Sequence, residues 1–271
     1  MCRMSIYFRH ILGLKVFAMT SAVIVVANAA NIDGHRAFYE MRIGQTNKNA
    51  VVQSVSGRSA FVLEEDCNGW RSAEDYIIEF YNDKGRTDRI LSHFESWESD
   101  SGEQYSFDVA EKSSFQDDKE FGGYAEMNAN GGEAVFMLGA ESDIELPKDT
   151  YFPMQHIRAI IQKAGEGKKI LTASVFVGAE PDDALLTTNT VIGGWQSVKA
   201  EVDLGALDGN GFWPVQIAYF KPSATKVEPE YEVQYWLQPN GVVRQYEINY
   251  GDFSIIAGLV TVETVDKPVC H

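Results

Sequence analysis

Tyr231-Glu232-Val233-Gln234-Tyr235-Trp236-Leu237-Gln238-Pro239-Asn240-Gly241-Val242-Val243-Arg244-Gln245-Tyr246-Glu247-Ile248-Asn249-Tyr250 sets the architecture of this chain. Tyr231, Val233, Tyr235 and Leu237 alternate with Glu232, Gln234 and Gln238. After the turn, Val242, Arg244, Tyr246, Ile248 and Tyr250 alternate with Gln245, Glu247 and Asn249. A period of two sends successive side chains to opposite faces of a strand. Pro239-Asn240-Gly241 turns the chain between the runs, because Asn and Gly tolerate the positive φ that short hairpin loops need. The segment reads as a β-hairpin.

The same alternation recurs along most of the chain. Tyr76, Ile78 and Phe80 share one face of a strand over 76–81. Further strands are predicted at Phe38–Ile43, Ser59–Leu63, Ile90–Trp97, Glu103–Glu111, Tyr124–Met127, Glu133–Leu138, Lys169–Val177, Val215–Phe220 and Ile255–Thr264. One segment reads as a helix. Pro153 suits a first turn, Ile157, Ile160, Ile161 and Ala164 form a stripe at helical spacing, and Gly165 and Gly167 end it. Many strands with a single amphipathic helix predict a mainly β fold, a barrel or a strongly curled antiparallel sheet. Pro222–Pro229 and Ala179–Gly194 lack clear periodicity, but neither is long enough to force a domain boundary. A single domain over 30–271 is expected.

The N-terminus specifies a compartment. Arg3, Arg9 and Lys15 precede an apolar run from Val16 to Val26, and Ala27-Asn28-Ala29 offers small residues for cleavage. That order is the secretory signal pattern. The alternative is a membrane anchor, but the run falls far short of the ~20 residues that a spanning helix needs. Residues 1–29 are therefore expected to be a signal peptide, with a mature chain in the periplasm. Its loss removes three positive charges and takes the formal net charge from −16 to −19. So acidic a chain lacks the Lys/Arg footprint of a nucleic-acid binder and is not drawn to anionic lipid.

Cys2 leaves with the signal peptide, and Cys67 and Cys270 remain. An even count in an oxidising compartment reads as a disulfide. The alternatives are two free thiols or a metal site, and structural zinc wants four close ligands.

Tyr39-Glu40-Met41-Arg42-Ile43-Gly44, Ser56-Gly57-Arg58, Cys67-Asn68-Gly69-Trp70, Phe152-Pro153-Met154-Gln155-His156 and the final Cys270 follow one another in an order that resembles the EipB family of periplasmic cell-envelope integrity proteins. The resemblance spans nearly the whole mature chain. It departs at Trp70, where tyrosine is the expected residue. The resemblance implies a β-spiral, a long antiparallel sheet wound as an open barrel around one central helix. It also implies a Cys67–Cys270 disulfide and a role in maintaining the envelope under stress. The spiral is similar to folds of periplasmic lipoprotein carriers, an analogy of fold that by itself assigns no ligand.

No catalytic constellation is visible. Of the histidines left after cleavage, His35, His93, His156 and His271, none is paired at metal-ligand spacing, and neither H-E-x-x-H nor G-x-S-x-G occurs. Asp208-Gly209-Asn210-Gly211 resembles the start of a calcium loop, but Phe212 takes the next ligand position, so it reads as a turn. The aromatic residues Trp195, Trp213, Tyr219, Tyr235 and Trp236 are candidates to line a cavity, or to form ordinary core and cross-strand pairs. The expected function is a non-enzymatic envelope-integrity factor, without metal or cofactor, acting through a protein partner or a lipid-like ligand. The alternatives are a periplasmic lipid or lipoprotein carrier and a hydrolase using acidic clusters such as Glu64-Glu65-Asp66.

Export with cleavage after Ala29 is expected. Intact-mass measurement of the periplasmic fraction should give a chain beginning at Ala30, and recovery of full-length protein in the inner membrane would contradict it.

Overall fold

The computed structural model describes residues 31–270, apart from 49, 83, 140–142, 199–201 and 223–227. The expected signal peptide, and most of the Pro222–Pro229 linker candidate, lie outside the described residues. No helix among the described residues is long and apolar enough to cross a membrane.

The chain opens as a meander of β1 (His35–Thr46), β2 (Val52–Glu65), β3 (Gly69–Asn82), β4 (Thr87–Ser99), β5 (Gln104–Ser113), β6 (Lys119–Asn128), β7 (Gly131–Leu138) and β8 (Asp143–Leu146). Helix α1 (Pro153–Gly165) leads to β9 (Ile170–Phe176), a single turn α2 (Pro181–Ala184), β10 (Leu185–Ile192), β11 (Gln196–Ser197) and β12 (Gly211–Phe220). The chain ends in β13 (Tyr231–Leu237), β14 (Val243–Asn249) and β15 (Phe253–Thr264). All fifteen strands form one sheet, in the order β8-β7-β6-β5-β4-β3-β2-β1-β15-β14-β13-β12-β10-β9, with β11 beside β12. The pairings are antiparallel throughout.

The first strand pairs with the last, so β1 joins the two halves of the sheet, with His35 opposite Thr264 and Met41 opposite Ala257. The far ends then approach each other. Tyr151, just past β8, bridges Val175 of β9, and its N–H donates to the Ser174 carbonyl at 2.9 Å. Phe107, Phe136, Leu146, Phe152 and Phe176 pack there as one hydrophobic cluster drawn from both ends of the sheet. The result is a nearly closed, barrel-like antiparallel sheet.

The mainly β expectation holds, and the hairpin lies where the alternation put it, with Gly241 at φ 87°. Helix α1 starts at Pro153 and buries His156, Ile160, Ile161 and Ala164. These isoleucines pack with Leu63, Trp70, Leu186, Val215, Ile217, Val233 and Leu237. Gly167, at φ 73°, closes the helix by donating its N–H to the Ala164 carbonyl. His156 is a core histidine, its pKa depressed to about 4 by burial. The expectation of one helix needs correction. The second, α2, is a single turn, too short to leave a periodic stripe in the sequence. Strand β10 also lies in a stretch expected to lack periodicity. Its alternating residues, Thr188 and Thr190, are fully buried but polar, so a hydrophobic pattern does not register them.

Cys67 sits at the β2–β3 tip and Cys270 just beyond β15. The two are bonded, with Cα atoms 5.5 Å apart. The bond closes a 203-residue loop, for which the chain-entropy argument gives an upper limit of ~5 kcal/mol. The tail reaches Cys67 along β2, where Val265 N–H donates to the Gly34 carbonyl at 3.1 Å and Lys267 pairs with Glu65 at 3.2 Å. Cys67→Ser should lower unfolding stability by ~2–5 kcal/mol in urea melts. Native protein should run faster on non-reducing gels than after reduction, and two alkylatable thiols in it would refute the bond.

Candidate functional site

Helix α1 has an unusual anchor. Its N-cap, Phe152, has no polar side chain to cap the first turn and is wholly buried among aromatic rings. The missing acceptors come from β4. Glu98, 3% exposed, accepts the Met154 N–H on Oε2 and the Gln155 N–H on Oε1, both at 2.8 Å. A carboxylate at a helix N-terminus is favoured by the free N–H groups and the helix dipole. Burial works the other way and pushes the Glu98 pKa up to about 7, against the pull of both N–H donors and of Arg158. Arg158 stands over the Trp70 ring, 5.3 Å from its centroid, and 3.6 Å from Asp100. Trp70 is the cross-strand partner of Glu98.

The aromatic residues singled out from the sequence do not form one cavity wall. Trp213, Tyr219 and Tyr235 face inward, where Trp213 and Tyr235 pack against the core cluster around α1. Tyr219 stacks on Tyr231 at 4.6 Å, and burial pushes the Tyr235 hydroxyl up to about 12. Trp236 points to the opposite face, stacked flat on Phe212 with centroids 4.8 Å apart. Trp195 lies between β10 and β11, 43% exposed and edge-on to Trp213. Strand alternation makes this division, since Tyr235 and Trp236 are adjacent in sequence.

A different surface forms a concavity. The outer face of β15 and β1–β5 dips into a trough of about 840 Å³. An apolar stripe of Val260, Phe38, Ala60, Ile77 and Leu91 crosses it diagonally. Strands about 4.8 Å apart make the trough roughly 20 Å long. Charged pairs flank the stripe. Glu40 faces Arg58 across β1 and β2, and on the other side His93 Nδ1 lies 2.8 Å from Asp75. Leu91 and Val260 are about half exposed on this floor and carry the apolar stripe to solvent. Sequence reading passed over these residues because they are out of phase with the core positions. Ile77, between Tyr76 and Ile78, was the available signal: apolar residues on both faces of one strand.

The EipB-like family model matches residues 26–266 of this chain. The cell envelope integrity protein EipB of Brucella abortus (strain 2308) is 27% identical over 252 residues, covering 89% of this chain and 87% of that protein. A crystal structure from Brucella abortus, described as a beta-barrel-like protein of the domain of unknown function DUF1849, superposes with a TM-score of 0.79. It is 24% identical and covers 87% of this chain and 99% of that one, which establishes likeness of fold.

Glu98 gives a pH signature. Its pKa is higher in the folded chain than the ordinary 4.5, so the native state holds the proton more tightly. Its contribution is complete below the unfolded value and declines as pH rises from 4.5 towards about 7, by roughly 3 kcal/mol in all. Glu98→Gln removes that titration. The difference in urea midpoint between Glu98→Gln and wild type should therefore change across that window and level off above it; a constant difference would refute the assignment.

Proposed function

The chain belongs to the EipB-like family, and on that premise we propose that it is a periplasmic factor that maintains cell-envelope integrity without catalysing a reaction. The likeness to the cell envelope integrity protein EipB, along 89% of the chain, is the observation that carries the reading. Residues 1–29 then serve as the signal peptide, and 30–271 form one β-spiral domain wound around α1. The Cys67–Cys270 bond fits an oxidising compartment.

The outer trough is the proposed contact for a protein partner or lipid-like ligand. Its volume lies in the range of small-molecule sites, and its floor is apolar between charged walls. Covering half-exposed Leu91 and Val260 returns about 25 cal/mol for each Å² of apolar surface removed from water. A lipid carrier would use the same floor but would also have to release its cargo.

Deletion of the gene should sensitise cells to detergent and to cell-wall antibiotics, and the wild-type gene should restore growth. Leu91→Asp and Val260→Asp place charge on exposed floor positions and should accumulate normally yet fail to restore it. Equal growth of deleted and complemented strains would defeat the envelope reading. Full rescue by both variants would leave that reading standing and remove the trough from it.

A further inference from the structure

The outer trough has a charged end. Lys112 of β5 lines it and stands directly opposite Leu91 of β4, on the same face, so its ammonium continues the apolar stripe. From Leu91 the floor runs through Ile77, Ala60 and Phe38 to Val260 of β15, which is apolar and exposed. The other charges around this floor face partners. His93 Nδ1 lies 2.8 Å from Asp75, Arg89 pairs with Glu79, and Arg58 faces Glu40. None of the ion pairs among the described residues includes Lys112. Its side chain is exposed, and a lysine stem lies along apolar surface while its ammonium stays in water.

The dimensions of the floor select an occupant. Five strand steps lead from β5 to β15, which at ~4.8 Å each place Lys112 roughly 24 Å from Val260. An acyl chain that fills one leaflet of a bilayer reaches ~15 Å, half of the ~30 Å hydrocarbon core, and more when fully extended. The floor is narrow, because Glu40 and Arg58 stand on one flank and Asp75 and His93 on the other. It therefore suits a single chain with one negative charge at one end.

We propose that the trough binds a long-chain fatty-acid anion, its carboxylate on Lys112 and its methylenes along the stripe towards Val260. This names the ligand class for the contact proposed above and rests on that reading. The ammonium offers three N–H donors to a carboxylate, in charge-assisted bonds. A diacyl lipid fits less well, since the flanking charges leave no floor for a second chain. An extended peptide gains little, because the strands of this face already pair with neighbours on both sides. The formal net charge of −16 repels anions in general, so saturable binding of one requires a local site.

The test is calorimetric titration of the purified mature protein at pH 7.5 with dodecanoate, octanoate and butyrate, each below its micelle-forming concentration. Dodecanoate should bind saturably. Octanoate should bind about sixteenfold more weakly, about twofold for each methylene on a floor that covers half the chain, and butyrate should give no signal. Lys112→Gln should weaken dodecanoate about threefold and Lys112→Glu about tenfold, and added salt should weaken binding to wild type but not to Lys112→Gln. Leu91→Asp should abolish binding. Absence of saturable dodecanoate binding at about 1 mM would overturn the proposal, as would unchanged affinity in Lys112→Glu or in folded Leu91→Asp. If dodecanoate fails to bind while Leu91→Asp still fails to restore growth, the trough remains the contact for a protein partner and only the fatty-acid ligand falls. If dodecanoate binds as stated while Leu91→Asp and Val260→Asp both restore growth, the ligand stands and the trough's part in envelope integrity falls.

Discussion

The pairing of β1 with β15 is the contact on which the rest of this molecule depends. Every other neighbour relation in the sheet, apart from the skip over short β11, joins strands consecutive in sequence. Those local hairpins would give two separate curled sheets, β1–β8 and β9–β15. The ladder from His35–Thr264 to Ile43–Ile255 fuses them, placing the first and last strands side by side in the middle of the sheet. Ordering so distant a pair carries a large loop-closure cost, and β-topologies dominated by such contacts fold slowly. The Cys67–Cys270 bond lies at one end of that ladder and reduces the cost by restricting the unfolded chain.

Fusion makes curvature possible, and curvature separates the two faces. On the inside, three clusters line the sheet: one around α1, one around Tyr39 and Met41, and the aromatic group of Tyr105, Phe152 and Phe176. The last seals the gap between the sheet ends, because Phe152 and Phe176 come from segments on either side of α1. Glu98 sets the angle of the helix by holding its first N–H groups to β4. A buried carboxylate that lost those donors would cost far more than the bonds return, which makes the junction rigid.

Polarity on β1–β5 departs from the usual arrangement of apolar inside and polar outside. Glu74 and Glu111 face the interior, while Phe38, Ile77 and Leu91 face out. Neither placement improves the stability of a lone β domain. An inward carboxylate loses hydration, and an outward leucine gains no burial. Local rules of consistency tend to fail where function demands it. The two exceptions occupy opposite faces of the same five strands.

The sequence was sufficient for whatever depends on neighbouring residues. Alternation around Pro239-Asn240-Gly241 gave a hairpin, the isoleucine stripe after Pro153 gave α1, and both lie at the positions read. Local periodicity records which face of an element is buried, and this holds wherever the chain later goes. The strand order β1–β15, the approach of Tyr151 to β9, the trough and the acid-and-tyrosine interior were decided by folding in three dimensions. Tyr235 and Trp236 show why: they are adjacent in the chain, yet one packs against the cluster around α1 and the other stacks on buried Phe212 on the opposite face of the sheet. Glu74 reads in sequence as one more solvated acid between Arg71 and Asp75. Only the curl of the sheet, which brings Tyr246 across to it, removes it from water.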